Sequence, residues 1–476
     1  MVNAVIKARN CPSSPSAGSL PELSEEMWED WMRHVDRILE DEQLVELVYE
    51  ALVRRHPKSR TRGRPGTPAE VVLRMLVRKH LRNWSFVVLQ WELRTNLVHH
   101  QFARIGTDKV PHVKTIERQA LALGPEVIKK IHQRVVAIAR ENRIISGRKL
   151  RVDTTVVETN IHYPTDSSLL EDGVRVLTRV MKRVTAIAGE AGTKLRDRSR
   201  SVKLRAVEIA RVSRSKSVQT QQRMKQLYGK MLDVSGRVVC QARRFAKEVG
   251  AGVKRSADVK GQAALEGMKK ELETMAERVK KVRRQARERI FKGNLHVEGK
   301  LASMFEDTTE IIRRGKAKQP TEFGKMAKVQ EAEGQIIVDY EVFEKRPTDS
   351  DLLVPAIVIH LQRTGRVPDL ATGDAAFYSA AGEKAAHEMG VKYVSVPNRK
   401  TKSEERKAFE KKRWFKNGQK WRTGCEGRIS VLKRRHGLVR CRYRGDHGMQ
   451  RWVGLGVISD TLINMGLALA SRTSAT

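Results

Sequence analysis

Cysteine is scarce: Cys11, Cys240, Cys425 and Cys441 are the only four in 476 residues, and no two of them form a CxxC pair. That usage excludes a disulfide scaffold and fits a reducing compartment. Aromatic residues make up only 5%, and acids are in deficit, with 55 Asp and Glu against 93 Lys and Arg. No unbroken apolar stretch follows a basic start, so no secretory signal is visible. The most apolar window, 452–470 (WVGLGVISDTLINMGLALA), contains Asp460, Asn464 and three glycines. It suits a buried helix better than a membrane span, and a cytoplasmic or nucleoid-associated protein is expected.

What is abundant is positive charge. The formal net charge is +38, and basic side chains in such excess displace condensed counterions from a phosphate backbone. A polyanion is therefore the expected partner. The charge alone fits ribosome-like or membrane-surface binding as well, so it names a partner class and not a reaction.

The chain is long enough for two or three units with real cores. Residues 1–66 read as a loose leader, a helical stretch over 23–53 (Trp28, Trp31, Val35, Ile38, Leu39) and a basic Gly/Pro linker, SRTRGRPGTP, at 59–68. Residues 67–145 read as a helical N-terminal domain, starting near Thr67-Pro68 with Glu70 in the first turn. Around Val113–Leu123 a helix-turn-helix and a generic bundle are equally compatible with the pattern. Residues 146–470 read as an α/β domain with a basic helical insertion at about 171–300, followed by a tail, 471–476.

Within the α/β region, KLRVDTTVVET places Asp153 near the middle of a strand. In QIIVDYEVF, residues Ile336, Val338, Tyr340 and Val342 share one face at period two. Residues 350–363 read as a helix, VPDLATGDAAF (367–377) as a strand ending at Asp374, and SAAGEKAAHEMG as a helix closed by Gly390. KYVSVPN (392–398) is a further strand, and a basic loop, 399–424, leads to a helix beginning near Glu426. In the insertion, ERVKKVRRQARERI (277–290) is either a solvated helix face or a DNA contact.

Two aspartates at strands and a glutamate on a late helix suggest metal-assisted phosphoryl transfer, in which carboxylates hold Mg²⁺ or Mn²⁺, commonly as two ions. Three acids among 55 do not single themselves out. Arg422, Glu426 and Lys433 are spaced four and seven apart, so on a helix they share a face, with two cations flanking the carboxylate. Such a ladder is also an ordinary surface pattern.

DTTVVETNIHYPTDSSLL (153–170) resembles the first catalytic segment of DDE insertion-sequence transposases of the ISNCY group. TEIIRRGKAKQPTEFGKM, GDAAFYSA, VPNRKTKS and CEGRISVLKRRHGL continue the resemblance in order, over about 69–470. It implies a ribonuclease-H-like fold: a five-stranded mixed sheet flanked by helices, with a large helical insertion. It also implies that Asp153, Asp374 and Glu426 bind the metal, from the first strand, the end of the fourth and the helix after the fifth. The family's Tyr-x2-Arg-x3-Glu-x6-Lys signature is matched by Arg422, Glu426 and Lys433, while its tyrosine position holds Gln419. Arg422 and Lys433 would bind phosphates beside the cut. The implied partners are double-stranded DNA, as transposon ends and target, and further copies of the chain on paired ends. The helical N-terminal region, with the basic insertion, would read the ends. Non-catalytic DNA binding by a transposase-derived regulator and metal-dependent cutting without strand transfer are the competing readings.

Other residues invite roles. Trp414, Phe415 and Trp421 interleave with basic residues in KKRWFKNGQKWRTG (411–424), and Trp414 or Trp421 either stacks on an unpaired base or packs in the core. Cys425, His436, Cys441 and His447 lack the spacing of paired zinc ligands. His162 suits a polar loop. Asp339, Asp349 and Asp351 are alternative acids, and Asp349 or Asp351 would be next should Asp374 fail.

Overall fold

A computed structural model describes residues 7–9, 27–55, 66–106, 108–189, 192–215, 217–252, 254, 259–313 and 320–473. The chain forms two compact units, residues 1–160 with 324–476, and residues 161–323. The leader segment 10–26 and most of the Gly/Pro linker lie outside the described residues.

Among the described residues, the first unit opens with seven helices: α1 Asp30–Ile38, α2 Glu42–Arg55, α3 Ala69–Leu81, α4 Phe86–Thr95, α5 Leu97–Phe102, α6 Val113–Ala122 and α7 Pro125–Glu141. The single helix read over 23–53 is broken after Ile38. There Asp41 accepts a hydrogen bond from the Leu44 amide (3.1 Å) and pairs with Arg134 (2.7 Å). The start at Pro68 holds, since proline's fixed φ and missing N–H cost nothing before a first turn. Around Leu123-Gly124, α6 gives way to α7.

Strand β1, Lys149–Glu158, begins the sheet. Strand β2 is Glu310–Arg313, β3 Thr321–Glu331, β4 Ile337–Val342, β5 Leu370–Thr372 and β6 Tyr393–Ser395. β1 pairs antiparallel with β3 and β3 antiparallel with β4, whereas β1–β5 and β5–β6 are parallel. β2 is a further neighbour of β3, so among the described residues the mixed sheet has six strands where five were expected. The parallel strands need crossovers, supplied by α12, Leu353–Thr364, and α13, Ala380–Glu388. Leu150 and Val152 pack with Leu353, Ala356 and Ile357. Val157, Ala327 and Val329 pack with Leu432, Trp452 and Val453. Alternation along β1 thus assigns each face of the sheet its own helical layer.

The region expected to be a basic loop, 399–424, is mostly helical: α14 covers Glu404–Glu410 and α15 runs over Arg413–Arg435. Phe415, Gly418, Cys425, Arg428 and Leu432 form its buried side, so packing overrides the glycines and charges that suggested a loop. The final helix, α16, covers Gly445–Thr473. By length and composition it is apolar enough to cross a membrane, yet most of its apolar window is buried in the protein. Its Leu455, Ile458, Leu462 and Met465 share one apolar core with α1–α7. The helical stretch 67–145 and the region 146–470 are accordingly not separate compact units, because α16 returns to complete the helical core.

The second unit is a helical bundle: α8 Asp166–Ala188, α9 Ser199–Val212, α10 Val218–Gly250 and α11 Val259–Phe291. Thr165 and Ser168 form a capping box at the start of α8. Leu177, Val202, Met231, Phe245, Leu272 and Val279 belong to its core. The helices therefore begin about five residues before the expected insertion boundary at about 171 and pack as a bundle.

Candidate active site

Asp153 points from β1 to the face that carries α15. On the same face, Arg151 donates to the Trp421 carbonyl (2.6 Å) and stacks its guanidinium over the Trp421 ring, 4.8 Å from the centroid. Thr154 faces the opposite way and donates to Asp349 Oδ1 (3.2 Å). Period-two alternation thus separates Asp349 from Asp153. Asp339 is buried and paired with Lys129 (2.7 Å). Asp351 lies in a short 3-10 turn, Asp349–Asp351.

Asp374 lies two residues beyond β5. It caps a 3-10 turn over Ala375–Phe377, its side chain accepting from the Ala376 amide (2.9 Å). Glu426 stands on α15 with Arg422, which donates to Glu426 Oε1 at 2.8 Å and lies 3.9 Å from Asp153. Arg422 thus sits between two acids that are 273 residues apart in sequence (426 − 153). Lys433 lies on the same helix, partly buried.

Burial raises the Asp153 carboxyl to a pKa of about 6 against the pull of the Thr154 amide; Asp374 and Glu426 add to the rise and Arg422 opposes it. Asp153 therefore feels both other acids as charges. Among the described residues, no three His, Cys, Asp or Glu side chains are already grouped to hold a metal ion. Even so, the donor set fits a hard divalent cation. It consists of carboxylate oxygens alone, and a cation among them would relieve the repulsion that acts on Asp153.

The helix carrying Glu426 sits close to the sheet. A Cβ on Gly424 would stand 2.1 Å from Arg151 Nη1, and one on Gly418 2.7 Å from the Ser395 side chain. The absence of side chains at Gly418 and Gly424 is what admits α15 to the strands. Gln419, at the signature's tyrosine position, donates through Nε2 to the Ser395 carbonyl and to the Gly373 carbonyl (3.3 Å). It ties the helix of Glu426 to the ends of β5 and β6, one residue from Asp374.

Beneath this lies a set of buried ions. Arg151 Nε pairs with Glu331 (2.9 Å), and Arg428 pairs with Asp460 (2.9 Å) and lies 3.9 Å from Glu331. His436 stands 3.6 Å from Asp460. Burial pushes Asp460 up to about 6 and His436 down to about 4. The sequence reading missed this set, although Asp460 was a visible anomaly inside the apolar window.

The aromatic residues of this segment are packed. Trp414 has ring contacts with Tyr393, Phe409 and Phe415, with centroids 5.1–5.5 Å apart. Cys425 is buried, His436 bonds to the His80 carbonyl (3.2 Å) and Cys441 Sγ accepts from the Tyr443 amide (3.3 Å), so these side chains serve packing. His162 pairs with Asp172 (2.7 Å), which accounts for it without chemistry.

The mixed sheet thus holds Asp153 within β1 and Asp374 just beyond β5, and the adjoining helix carries Glu426. Family comparison sharpens the class: residues 25–119 match a transposase domain (DUF772), and residues 381–464 match a transposase DDE domain. These two domains indicate a DNA transposase. The DDE segment contains Arg422, Glu426 and Lys433, while Asp153 and Asp374 fall outside both matches. No curated protein and no solved structure matches the chain significantly.

Proposed function

We propose that the chain is a DDE transposase of the ISNCY group that cleaves the phosphodiester at transposon ends and joins the freed 3′ hydroxyl to target DNA. The observation that carries this reading is the electrostatic coupling of Asp153 to both Asp374 and Glu426, with Arg422 between Asp153 and Glu426. The strand order, antiparallel β4–β3–β1 followed by parallel β1–β5–β6, supports a ribonuclease-H-like core. Asp153, Asp374 and Glu426 would hold Mg²⁺ or Mn²⁺, two ions in the usual arrangement. When bound, such ions activate the attacking oxygen and stabilise the leaving one.

The chain's own residues have distinct tasks. Arg422 neutralises Glu426 before the site is loaded, and its guanidinium can then turn to a phosphate oxygen. Lys433, seven residues along the same helix, binds the backbone beside the cut. Gln419 holds the α15 register against Gly373, and so keeps Glu426 and Asp374 together. Trp414 and Trp421 act through packing, which keeps α15 rigid. The helical N-terminal region binds the transposon ends, and paired ends bring a second copy of the chain.

Asp153→Ala tests the reading. The variant should bind end-containing duplex as the parent does and lose Mn²⁺-supported cleavage to below detection. Labelled ends incubated with target plasmid separate joining from cutting. Equal cleavage by variant and parent would leave a DNA-binding regulator as the reading.

A further inference from the structure

We propose that the outward face of the α10–α11 pair is a binding surface for the backbone of duplex DNA. The two helices run antiparallel side by side. Arg243 pairs with Glu277, Arg289 donates to the Tyr228 hydroxyl (3.2 Å), and a Cβ on Gly236 would lie 2.6 Å from Arg283 Nη2. Met231, Val238, Phe245 and Val249 of α10 are buried, as are Leu272, Val279, Val282 and Ala286 of α11. The opposite side of each helix therefore faces outward.

On α10 that side carries Arg237 and Arg244, seven residues apart and so about 10 Å along the axis, with Lys247 and the exposed Cys240 in the same stripe. On α11 it carries Arg284 and Arg287, flanked by the half-buried Arg283. None of these cations has an ion pair among the described residues, and the Arg283 Nε is buried without a hydrogen-bond partner. Among the acids of these helices, Glu277 is taken by Arg243 and Lys280, Glu288 by Lys292, and Glu248 by Lys254 and the Thr193 amide, while Asp233 acts on Arg283 as a charge. The large exposed apolar side chains of these helices, Val218, Val259 and Phe291, lie at their ends, outside the stripe.

A protein partner needs apolar or aromatic anchors at the centre of its interface, and this face offers none. It offers exposed guanidinium forks on two adjacent helices, whose planar geometry matches phosphate oxygens. Such contacts carry no sequence information and lose strength with salt. The face would add backbone affinity and leave selection of transposon ends elsewhere. The proposal requires DNA as partner and does not depend on the carboxylate site.

Cys240 is a reporter in the middle of the face. In the full chain carrying Cys11→Ser, maleimide modification of Cys240 is timed with and without saturating duplex in the absence of divalent metal, where no cleavage proceeds. DNA should slow it roughly tenfold or more, and added salt should restore the rate as counterion competition displaces the backbone. The variant R237Q/R244Q/R284Q/R287Q should lose about 0.9 from the log–log salt slope per removed contact, roughly 3–4 in all. Its melting curve checks folding, and the Cys240 footprint on otherwise unaltered residues stands if the quadruple variant fails to fold. An unchanged Cys240 rate at saturating DNA, or an unchanged salt slope in a folded quadruple variant, would overturn the proposal. Either result would leave the Asp153→Ala cleavage test untouched.

Discussion

Both units are rich in charge, but they place it differently. In the first, ions run through the interior: Glu70, Arg74 and Arg78 are buried on α3, Arg151 and Glu331 within the sheet, and Arg428 and Asp460 between α15 and α16. In the second, buried ions are fewer, among them Asp166 (paired with Arg289), Asp172 and Lys254, and the Lys and Arg residues of α10 and α11 stand mostly outside its apolar core. A core of packed aliphatic side chains gives stability without fixing any one geometry at a distance. Paired buried ions are a poor source of stability, and holding a specific register is the best-attested use for them. Here they lie directly under the helix and strand that carry Glu426 and Asp153.

The sharpest way to break this contrast is to unpair one interior ion. Arg428→Met leaves Asp460 and Glu331 without their shared partner. It should cost the first unit about 3–5 kcal/mol in urea unfolding, the range for a buried pair broken on one side. A cost below about 1 kcal/mol would mean the network is not structural.

Acid should separate the units next. His99, His132 and His436 are buried neutral, with pKa values of about 3, about 3 and about 4 against an ordinary 6.5. A depressed histidine contributes stability that is complete above pH 6.5 and is lost as pH falls toward its folded value, because the unfolded chain takes up the proton. Asp153 and Asp460, both raised to about 6, and Glu331, also raised by burial, act in the opposite sense as pH falls, but His34, His80 and His360 are lowered by burial as well and add to the loss. In the second unit His162 is raised by its hydrogen bond to Asp172, so its contribution is present below pH 6.5 and fades as pH rises through its folded value. Hydrogen exchange between pH 7 and 5 should show the first unit loosening while the second does not. Equal loosening of both would contradict the assignment.

The smallest effect is expected at the surface of the second unit. Arg243→Gln removes an exposed pair with Glu277 and should change stability by about 0–1 kcal/mol. A larger loss would show that the bundle also depends on its ions.

The same contrast explains what was legible in the sequence. β1, the start of α3, α12, α13 and the buried nature of α16 follow from apolar period and end signals, which are local. So does the shared helical face of Arg422, Glu426 and Lys433. The helix over 413–424 was not legible, because its glycines and basic residues read as a loop until Arg151 and Ser395 are seen to require small residues opposite them. The joining of α16 to the N-terminal helices is a long-range packing event that no local pattern encodes. Among the acids, Asp374 was set above Asp349 and Asp351 by the family resemblance and by no local pattern. The faces of β1 separate them, since Thr154 turns to Asp349 while Asp153 is coupled to Asp374 and Glu426.

That separation is the central claim, and it can be tested by one comparison. Asp374→Ala and Asp349→Ala are assayed side by side for Mn²⁺-supported cleavage of end-containing duplex, with duplex binding measured on the same preparations. Asp374→Ala should bind and fail to cleave, while Asp349→Ala should retain cleavage to within about tenfold, a cost of about 1.4 kcal/mol in barrier. Cleavage by Asp374→Ala together with its loss in Asp349→Ala would contradict the account.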